Sequence, residues 1–261
     1  MAFRSQLVST FACPFKTMTR KLLGEPLYQQ VRVTLLQEPG GLGLDWKWGN
    51  SLRRMHPIRR DFGWQAGQPI DRYYTEDHFL AGYTNDIRGR VLEIGDNRYT
   101  RQFGAGRVTT SDVLHSKPGS PGATIHADLT NADHLPSATY DCAILTFTLQ
   151  FIFDVRAALK TLVRILKPEG VLLVIVPGIS QIARYDMDNW GEYWRFTSLS
   201  VKLLFEEVFR PEDVTIKTYG NVLSAAASLH GLLSTELSRE ELDHWDRDYE
   251  LVIGVRAVKR F

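Results

Sequence analysis

Cysteine is scarce in this chain, which excludes the small folds that are held together by disulfide bonds. The 261 residues include two cysteines, Cys13 and Cys142. Cys142 lies in an apolar stretch, so we expect no disulfide framework. A reducing compartment, the cytoplasm, is the predicted location.

Long apolar runs and an excess of charge are lacking as well. No apolar run reaches the roughly 18 residues that a membrane-spanning helix needs, so we expect no membrane partner. The N-terminus has neither a sustained apolar core nor a small-residue cleavage site, which disfavours a signal peptide. Because the formal net charge is only +1, we expect no nucleic-acid partner.

A glycine turn at Gly95 is the first feature that indicates a ligand site. Residues 91–94, which are apolar except for Glu93, predict a short strand that enters this turn and brings backbone close to a ligand. Glu93 and Asp96 flank the turn, and two carboxylates disfavour a pyrophosphate. A ligand with an amine and a positive sulfur suits the turn better. Asp112 follows Glu93 by 19 residues, close to the spacing at which a carboxylate accepts hydrogen bonds from ribose.

Strands and helices alternate after this turn, which predicts an α/β sheet. Residues 124–129 predict a short strand that ends in Asp128. Residues 140–146 form an almost continuous apolar run, as expected for a strand that is buried on both faces. An amphipathic helix is predicted at 155–166, and a further strand at 171–176.

This order resembles the class I S-adenosylmethionine-dependent methyltransferases. The first motif of that family, acid-x-Gly-x-Gly-x-Gly, is matched by Glu93 and Gly95, with Asn97 and Tyr99 at the other two glycine positions. The run RILKPEGVLLVIVP matches the family's helix that ends in Leu-Lys-Pro-x-Gly before strand five. The resemblance covers about residues 61–261. It implies a Rossmann-like α/β fold, with a seven-stranded sheet and helices on both faces.

The same resemblance implies S-adenosyl-L-methionine as the cofactor. Asp112 is then expected on the ribose and Asp128 near the adenine amino group. Arg72 either pairs with the methionine carboxylate or forms a surface ion pair with its acidic neighbours. The full set of predicted cofactor contacts is Arg72, Glu93, Gly95, Asn97, Asp112, Val113, Asp128, Leu129 and Thr146.

A polar and aromatic loop is predicted at 177–197, after the strand at 171–176, where functional loops of α/β sheets lie. Its tryptophans suit the flat faces of a sugar, and its acids suit sugar hydroxyls. The candidate bases are Asp186, Asp188 and Glu192, with His230 less favoured, and the Asp-x-Asp spacing makes Mg²⁺ an optional ligand. The predicted substrate contacts are Gln150, Tyr185, Trp190, Tyr193, Trp194 and Asn221.

Two segments lie outside the family pattern. Residues 1–60 are interpreted as an N-terminal extension that packs on the main domain, with a homodimer contact as one use for it. Residues 220–249 separate the predicted strands at 214–219 and 250–258. Because strand seven of the family is antiparallel, this insert must start and finish above the site, as a lid or a substrate wall.

Four sequence segments resemble a narrower bacterial group of glycan-building enzymes. These segments are FGWQAGQPIDRYY, YTRQFG, DCAILTFTLQ and YWRFT. Within that group, the nearest resemblance is to the mycobacterial sugar 1-O-methyltransferases of methylmannose polysaccharide synthesis. That resemblance implies a small sugar or oligosaccharide acceptor, methylated at the 1-OH of a short 3-O-methylated mannoside. Two alternatives stay open: a small-molecule O- or N-methyltransferase of secondary metabolism, and a non-catalytic protein that binds S-adenosylmethionine.

Overall fold

One seven-stranded sheet organises the part of the chain that the computed structural model describes, residues 54–260. The strands are β1 (Gly89–Ile94), β2 (Val108–His115), β3 (Ile125–His126), β4 (Tyr140–Thr146), β5 (Leu166–Pro177), β6 (Val214–Tyr219) and β7 (Val252–Val258). Their order across the sheet is β3-β2-β1-β4-β5-β7-β6. The first five strands are parallel, and β7 runs antiparallel to both β5 and β6. The predicted fold class is confirmed by this arrangement.

The helices are mostly short. They are α1 (Ile70–Tyr73), which continues as a π-helix over Tyr74–Leu80, α2 (Arg98–Gly104), α3 (Val155–Ile165), α4 (Arg184–Trp190), α5 (Ser198–Glu206), α6 (Val222–Leu229) and α7 (Arg239–Asp243). Short 3-10 turns lie at Thr84–Asp86, Ala105–Arg107, Leu149–Phe151, Pro211–Asp213 and Ser234–Glu236. Among the helices of residues 54–260, none combines the length and the apolar content that crossing a membrane requires.

The amphipathic helix α3 shows how the sheet is covered. Asp154 caps it by accepting a hydrogen bond from the Ala157 backbone N–H at 3.0 Å. Its apolar face, including Leu159 and Leu162, is fully buried in the same cluster as Leu172 of β5. Each such aliphatic side chain stabilises the fold by about 1.5–3 kcal/mol relative to exposure.

Several predicted boundaries were wrong. The strand predicted at 124–129 spans only Ile125–His126, and β7 begins at Val252 and not at 250. β5 begins at Leu166 and not at 171, because Leu166 already pairs with Tyr140 before the ladder shifts register and resumes at Val171. The predicted loop at 177–197 contains the helix α4, and this helix changes which side chains face the site.

The described part of the chain includes only the end of the predicted N-terminal extension. Residues 1–53 lie outside the described residues, and the unit that contains the sheet begins at Pro57. The proposed packing and homodimer roles of that extension stay predictions.

The insert at 220–249 starts and ends at the carboxyl edge of β5, as the topology predicts. Tyr219 and Pro177 both pair with Val252, so the two ends of the insert meet there. From that edge the insert packs against the segment before β1. The Ser234 N–H donates to the Gln68 carbonyl oxygen at 2.9 Å. The insert therefore supports that segment, and its role as a lid stays a prediction.

Two tyrosines of the helix at 70–80 also form hydrogen bonds to the insert. The Tyr73 hydroxyl donates to the Asp243 carboxylate, and the Tyr74 hydroxyl donates to the Leu242 carbonyl oxygen, both at 2.7 Å. Both tyrosine side chains are buried. The helix that leads into β1 is thus held from the side of the insert.

Candidate active site

Two neighbouring cavities open at the carboxyl ends of the strands. The strand-end cavity, about 610 Å³, is lined by residues at the ends of β1, β2, β3 and β4. The outer cavity, about 400 Å³, is lined by the segment 60–65, by Asp71 and by residues of α4. Phe147 and Phe151 line both cavities. Each volume is typical of a small-molecule site, so two ligands can lie on either side of these two rings.

Gly95 brings the β1 turn to the strand-end cavity. It adopts φ +88°, a conformation that glycine favours, and its N–H donates to the Leu114 carbonyl oxygen at 3.0 Å. Glu93, just before the turn, is buried and accepts from the N–H groups of Tyr99 (3.1 Å) and Thr100 (2.7 Å). Burial raises the pKa of Glu93, and the hydrogen bonds at Thr100 and Tyr99 oppose that shift. Glu93 therefore ties α2 to β1 and does not line either cavity.

Asp112 does not line the strand-end cavity, although its spacing predicts a ribose contact. It pairs with Leu92 in the middle of the sheet, three residues before β2 ends at His115. Its carboxylate accepts from Arg90 Nε at 2.7 Å, which is an ion pair between β2 and β1. The residues of β2 that reach the cavity are Leu114 and His115, followed by Ser116.

His115 occupies the strand end where the sequence predicts a carboxylate. Burial, together with the nearby His126 and Lys117, lowers the pKa of His115, so it is neutral at physiological pH. Its Nδ1 accepts from the Lys117 N–H at 3.0 Å, which places the ring hydrogen on Nε2. No spacing rule identifies this residue in the sequence, because only the strand register shows that it lies level with Gly95.

Four of the predicted cofactor contacts line the strand-end cavity: Gly95, Asp128, Leu129 and Thr146. Asp128 is exposed at the end of the β3 segment, where its carboxylate accepts from the Thr130 N–H at 2.9 Å and the Thr130 hydroxyl at 2.8 Å. These bonds fix one carboxylate oxygen, and the other is available to a ligand. This geometry suits the adenine contact that the sequence predicts for Asp128.

The other predicted cofactor residues are used within the fold. The Arg72 guanidinium pairs with Glu76 at 2.7 Å and lies 4.5 Å from the centre of the Trp64 ring. The Asn97 amide donates to the Ser111 hydroxyl at 3.1 Å. Val113 is buried within β2, and neither cavity is lined by these three residues.

Trp190 and Tyr193 line the strand-end cavity and not the outer one, contrary to their predicted place on the acceptor. The Trp190 ring lies edge-on to His115 at 6.3 Å and 4.7 Å from Lys117 Nζ. Within the described residues, its buried Nε1–H has no hydrogen-bond partner. The helix α4 carries Trp190 across the cofactor side, which the prediction of a loop at 177–197 could not show.

The outer cavity contains a carboxylate that sequence reasoning missed. Asp71 lies in the first turn of the helix at 70–80, and its Oδ1 accepts from the Arg72 N–H at 2.7 Å. Burial is the largest influence on this half-buried group and raises its pKa to about 6. Asp71 follows a turn in the sequence and is more than 100 residues from α4, so no local signal connects it with the site.

The three acids of α4 and its flank are separated by the helix. Asp186 lines the outer cavity, and burial together with the charge of Glu192 raises its pKa. Glu192 also lines the cavity, but its buried carboxylate accepts from the Ala183 N–H at 2.9 Å and pairs with Arg195 at 2.9 Å. Asp188 is exposed and pairs with Arg184 at 3.4 Å. Residues two apart on a helix point to opposite sides, so Asp188 does not face the cavity that Asp186 lines.

The same geometry bears on Mg²⁺. Within residues 54–260 there is no group of three His, Cys, Asp or Glu side chains placed to hold a metal ion. The sequence predicts Asp186 and Asp188 in one loop, whereas the helix α4 separates the two carboxylates. The residues present therefore do not fit the optional Mg²⁺ ligand set that this spacing suggested.

Three further predicted site residues have structural roles. Asn221 caps α6 by accepting from the Ser224 N–H at 2.9 Å, and its amide donates to the Glu241 and His244 carbonyl oxygens at 2.7 Å. The His230 backbone carbonyl, at the end of the same helix, accepts from the N–H groups of residues 58 and 59, and His230 lines neither cavity. Trp194 stacks on Phe153 and lines neither cavity. Of the predicted substrate contacts, Gln150 and Tyr185 line the outer cavity.

The strand-end cavity fits S-adenosylmethionine by the kind of groups that it presents. Leu129 and Ile152 offer apolar walls for a flat base, Asp128 offers an acceptor for its amino group, and His115 offers an N–H donor for a hydroxyl. Gly95 leaves open space at the turn, because a Cβ placed there would meet no atom within 4 Å.

Comparison with known proteins agrees with this fold. The family described as a methyltransferase domain matches residues 95–174. The ubiquinone/menaquinone biosynthesis C-methyltransferase UbiE of Haemophilus ducreyi is 49% identical over 73 residues, which are 27% of this chain and 26% of that protein. UbiE of an Enterobacter species is 26% identical over 191 residues, covering 58% of this chain and 70% of that protein.

Among solved structures, the N-methyltransferase NodS from Bradyrhizobium japonicum, in complex with S-adenosyl-L-homocysteine, is similar with a TM-score of 0.46. It is 16% identical, and the match covers 83% of this chain and 100% of NodS. The match at residues 95–174 begins at the glycine turn that follows β1 and runs into β5, so it includes the ends of β2, β3 and β4 that line the strand-end cavity. The sheet order is that of the class I methyltransferase fold, and residues 95–174 of this chain match the methyltransferase domain family.

Proposed function

We propose that the protein transfers the methyl group of S-adenosylmethionine to a hydroxyl oxygen of a small acceptor held in the outer cavity. The observation that carries the proposal is the shared wall, because Phe147 and Phe151 line both cavities. A cofactor on one side and an acceptor on the other would meet beside these two rings. Such positioning supplies much of the rate of a methyl transfer, since the attack must be in line with the departing sulfur.

Residues of the strand-end cavity would hold the cofactor. Asp128 would accept from the adenine amino group, and His115 Nε2–H would donate to a ribose oxygen. The cofactor supplies an electrophilic methyl on a positively charged sulfur. The protein's task is then to orient the acceptor, to exclude water and to remove one proton from the attacking hydroxyl.

The outer cavity suits an acceptor with flat apolar faces and several hydroxyl groups. Trp64 and Tyr185 line it with partly exposed rings, and the carboxylates of Asp71 and Asp186 are acceptors for hydroxyl groups. A small sugar has both properties. The narrower form of the proposal is the 1-OH of a short 3-O-methylated mannoside, which the sequence resemblance favours.

A second candidate is methyl transfer to carbon. It is favoured by the two UbiE relatives, which are C-methyltransferases by name. A carbon nucleophile beside a phenolic hydroxyl would need the same removal of a proton by a carboxylate, so the outer cavity serves either reaction. The first relative is matched over only 26% of its length, and this candidate therefore ranks second.

The test is a panel of acceptors with S-adenosylmethionine that carries a labelled methyl group. The panel contains mannose, its 3-O-methyl derivative, short mannosides, simple phenols, hydroquinones and amines. We expect label on a sugar hydroxyl. Label on a ring carbon of a hydroquinone would favour the second candidate. Binding of S-adenosylmethionine by calorimetry, without label on any acceptor, would favour a non-catalytic binding protein.

A further inference from the structure

The carboxylates near the outer cavity differ in what already occupies them. Both oxygens of Asp61 accept backbone hydrogen bonds, from the Gly63 N–H at 3.1 Å and the Gln65 N–H at 3.2 Å. Glu192 caps the start of α4 and pairs with Arg195. Both oxygens of each carboxylate are therefore already bonded within the protein, and neither carboxylate has an oxygen available to take a proton from an acceptor. Asp71 and Asp186 remain as the groups that face the cavity with an oxygen to spare.

Asp71 is the better positioned of these two. Its Oδ1 is fixed by the Arg72 N–H, and no hydrogen bond or ion pair to Oδ2 occurs within residues 54–260. Its helix is anchored by the buried residues Ile70 and Tyr73 and by the Tyr73 bond to Asp243. Asp186 lies on α4, a seven-residue helix that has no buried residue. A reacting group needs a rigid support, because small displacements reduce the rate strongly.

The charges around Asp71 also favour a proton acceptor. On its own helix the neighbours are Arg72 and Glu76, and Arg72 is paired with Glu76. The other titratable groups that line the cavity are Arg60, Asp61, Arg184, Tyr185, Asp186 and Glu192. Arg184 pairs with Asp188 on the exposed side of α4. Burial therefore dominates at Asp71 and raises its pKa to about 6, so the group is ionised at neutral pH and more basic than an ordinary aspartate.

We infer that Asp71 is the general base that deprotonates the acceptor hydroxyl. This inference rests on the proposed methyl transfer to oxygen. The acceptor oxygen forms a bond to the methyl carbon while the carbon–sulfur bond breaks. The electron pair of the broken carbon–sulfur bond stays on sulfur, which becomes neutral. The hydroxyl proton moves to Asp71 Oδ2 and leaves to solvent after the products depart. Charge balances, because one positive sulfonium and one carboxylate become a neutral thioether and a neutral carboxylic acid.

The experiment compares Asp71→Asn with three other variants, using the acceptor that the wild type methylates fastest. Asp71→Asn should lower kcat at least about 100-fold, while its affinity for S-adenosylhomocysteine stays within about threefold by calorimetry. Asp71→Glu retains a carboxylate and should recover part of the loss. The matched control is Asp77→Asn, an exposed aspartate on the same helix that lines neither cavity, and we expect it to change kcat less than twofold.

The pH profile gives a readout that a purely structural role would not change. Wild-type kcat/KM should fall about tenfold per pH unit below about pH 6, since protonated Asp71 cannot act as a base. Asp71→Asn should lose this acidic limb, and Asp186→Asn should keep it. Loss of the limb in Asp186→Asn would assign the base to Asp186 instead. Asp71→Asn with wild-type kcat and an unchanged limb would also overturn the inference.

The two proposals fail in different ways. A wild type that binds the cofactor but labels no hydroxyl would overturn the proposed reaction, and the base with it. If the wild type methylates a hydroxyl and Asp71→Asn is as active as the wild type, the assignment of Asp71 as the base is overturned and the proposed reaction stands. Circular dichroism at the assay temperature checks that each variant is folded when its activity is compared with that of the wild type.

Discussion

The strand-end cavity and the outer cavity lie side by side but are built in different ways. Gly95, His115, Asp128 and Thr146 reach the first from the ends of adjacent strands, where the sheet sets their relative positions. The second gathers its wall from segments that are far apart in the chain, including 60–65, α4, Ser228 and Leu251.

This difference has a physical reason and a consequence. Parallel strands share one edge, so a ligand site at that edge depends on a few local turns and on the register. An acceptor site that rests on several packed segments can change while the sheet stays the same. We therefore expect substitutions at the strand ends to alter cofactor binding, and substitutions on the outer side to alter turnover.

The largest expected effect concerns Glu93, the buried carboxylate that holds α2 on β1 beside the strand-end cavity. Glu93→Ala removes the acceptor of two backbone N–H groups, Tyr99 and Thr100, in a buried position. Unpaired buried donors cost about 1–3 kcal/mol each, so unfolding in urea should show a loss of about 3 kcal/mol. Glu93→Gln keeps one acceptor oxygen and should lose less. Equal stability of Glu93→Ala and the wild type would contradict the assigned role of this carboxylate.

The next effect separates the two aspartates that were both predicted to contact the cofactor. Asp128→Ala removes the carboxylate that we expect to accept a hydrogen bond from the cofactor, and it should weaken cofactor binding by about 1.5–3 kcal/mol. Asp112→Asn is the matched comparison, because Asp112 of β2 is paired with Arg90 of β1. Its affinity for the cofactor should stay within about threefold, or ~0.7 kcal/mol. Titration calorimetry measures both, and a reversed order would restore Asp112 to the ribose.

A smaller effect is expected on stability at Asp71. Its pKa is raised to about 6 in the folded protein against 3.8 for the ordinary group, so the folded state holds the proton more tightly. The contribution of this group is greatest below the unfolded pKa and is lost as pH rises through about 6. Asp71→Asn cannot ionise and should be more stable above pH 7, with little difference near pH 4.

The magnitude is reduced by the water in the open cavity. We expect a gain of about 1 kcal/mol, which for a chain of this size raises Tm by roughly 2–4 °C. Differential scanning calorimetry from pH 4 to pH 8 gives the measurement. A loss of stability at pH 8 would show that the ionised carboxylate is stabilised by a contact in the fold.

The smallest effect compares two aspartates of α4, one that lines the outer cavity and one that is exposed to solvent. Asp188 is exposed and belongs to an i,i+4 pair with Arg184. Exposed pairs contribute little, so Asp188→Asn should change stability by less than about 0.5 kcal/mol and turnover by less than twofold. Asp186→Asn, two residues earlier and in the cavity, should have the larger effect on KM for the acceptor. Equal effects of the two variants would place both carboxylates at the acceptor.

The cofactor side was the more predictable of the two, and the error at Asp112 has a clear cause. The turn at Gly95 and the acid at Asp128 follow strands directly, so their positions could be inferred from local patterns. Asp112 was selected by counting residues from Glu93. Its height in the sheet depends on the register with β1, and that register puts Leu114 and His115 at the edge.

The acceptor side was largely hidden in the sequence. Asp186, Gln150 and Tyr185 were identified because they follow strands in polar or aromatic stretches. Asp71 was not identified, since it approaches the cavity only when the helix at 70–80 packs beside the insert. The alternation of apolar strands and amphipathic helices was enough to determine the sheet, because burial of those periodic faces depends on local pattern. Which carboxylates lie in a cavity, and which are already bonded, was decided only by contacts between segments distant in sequence.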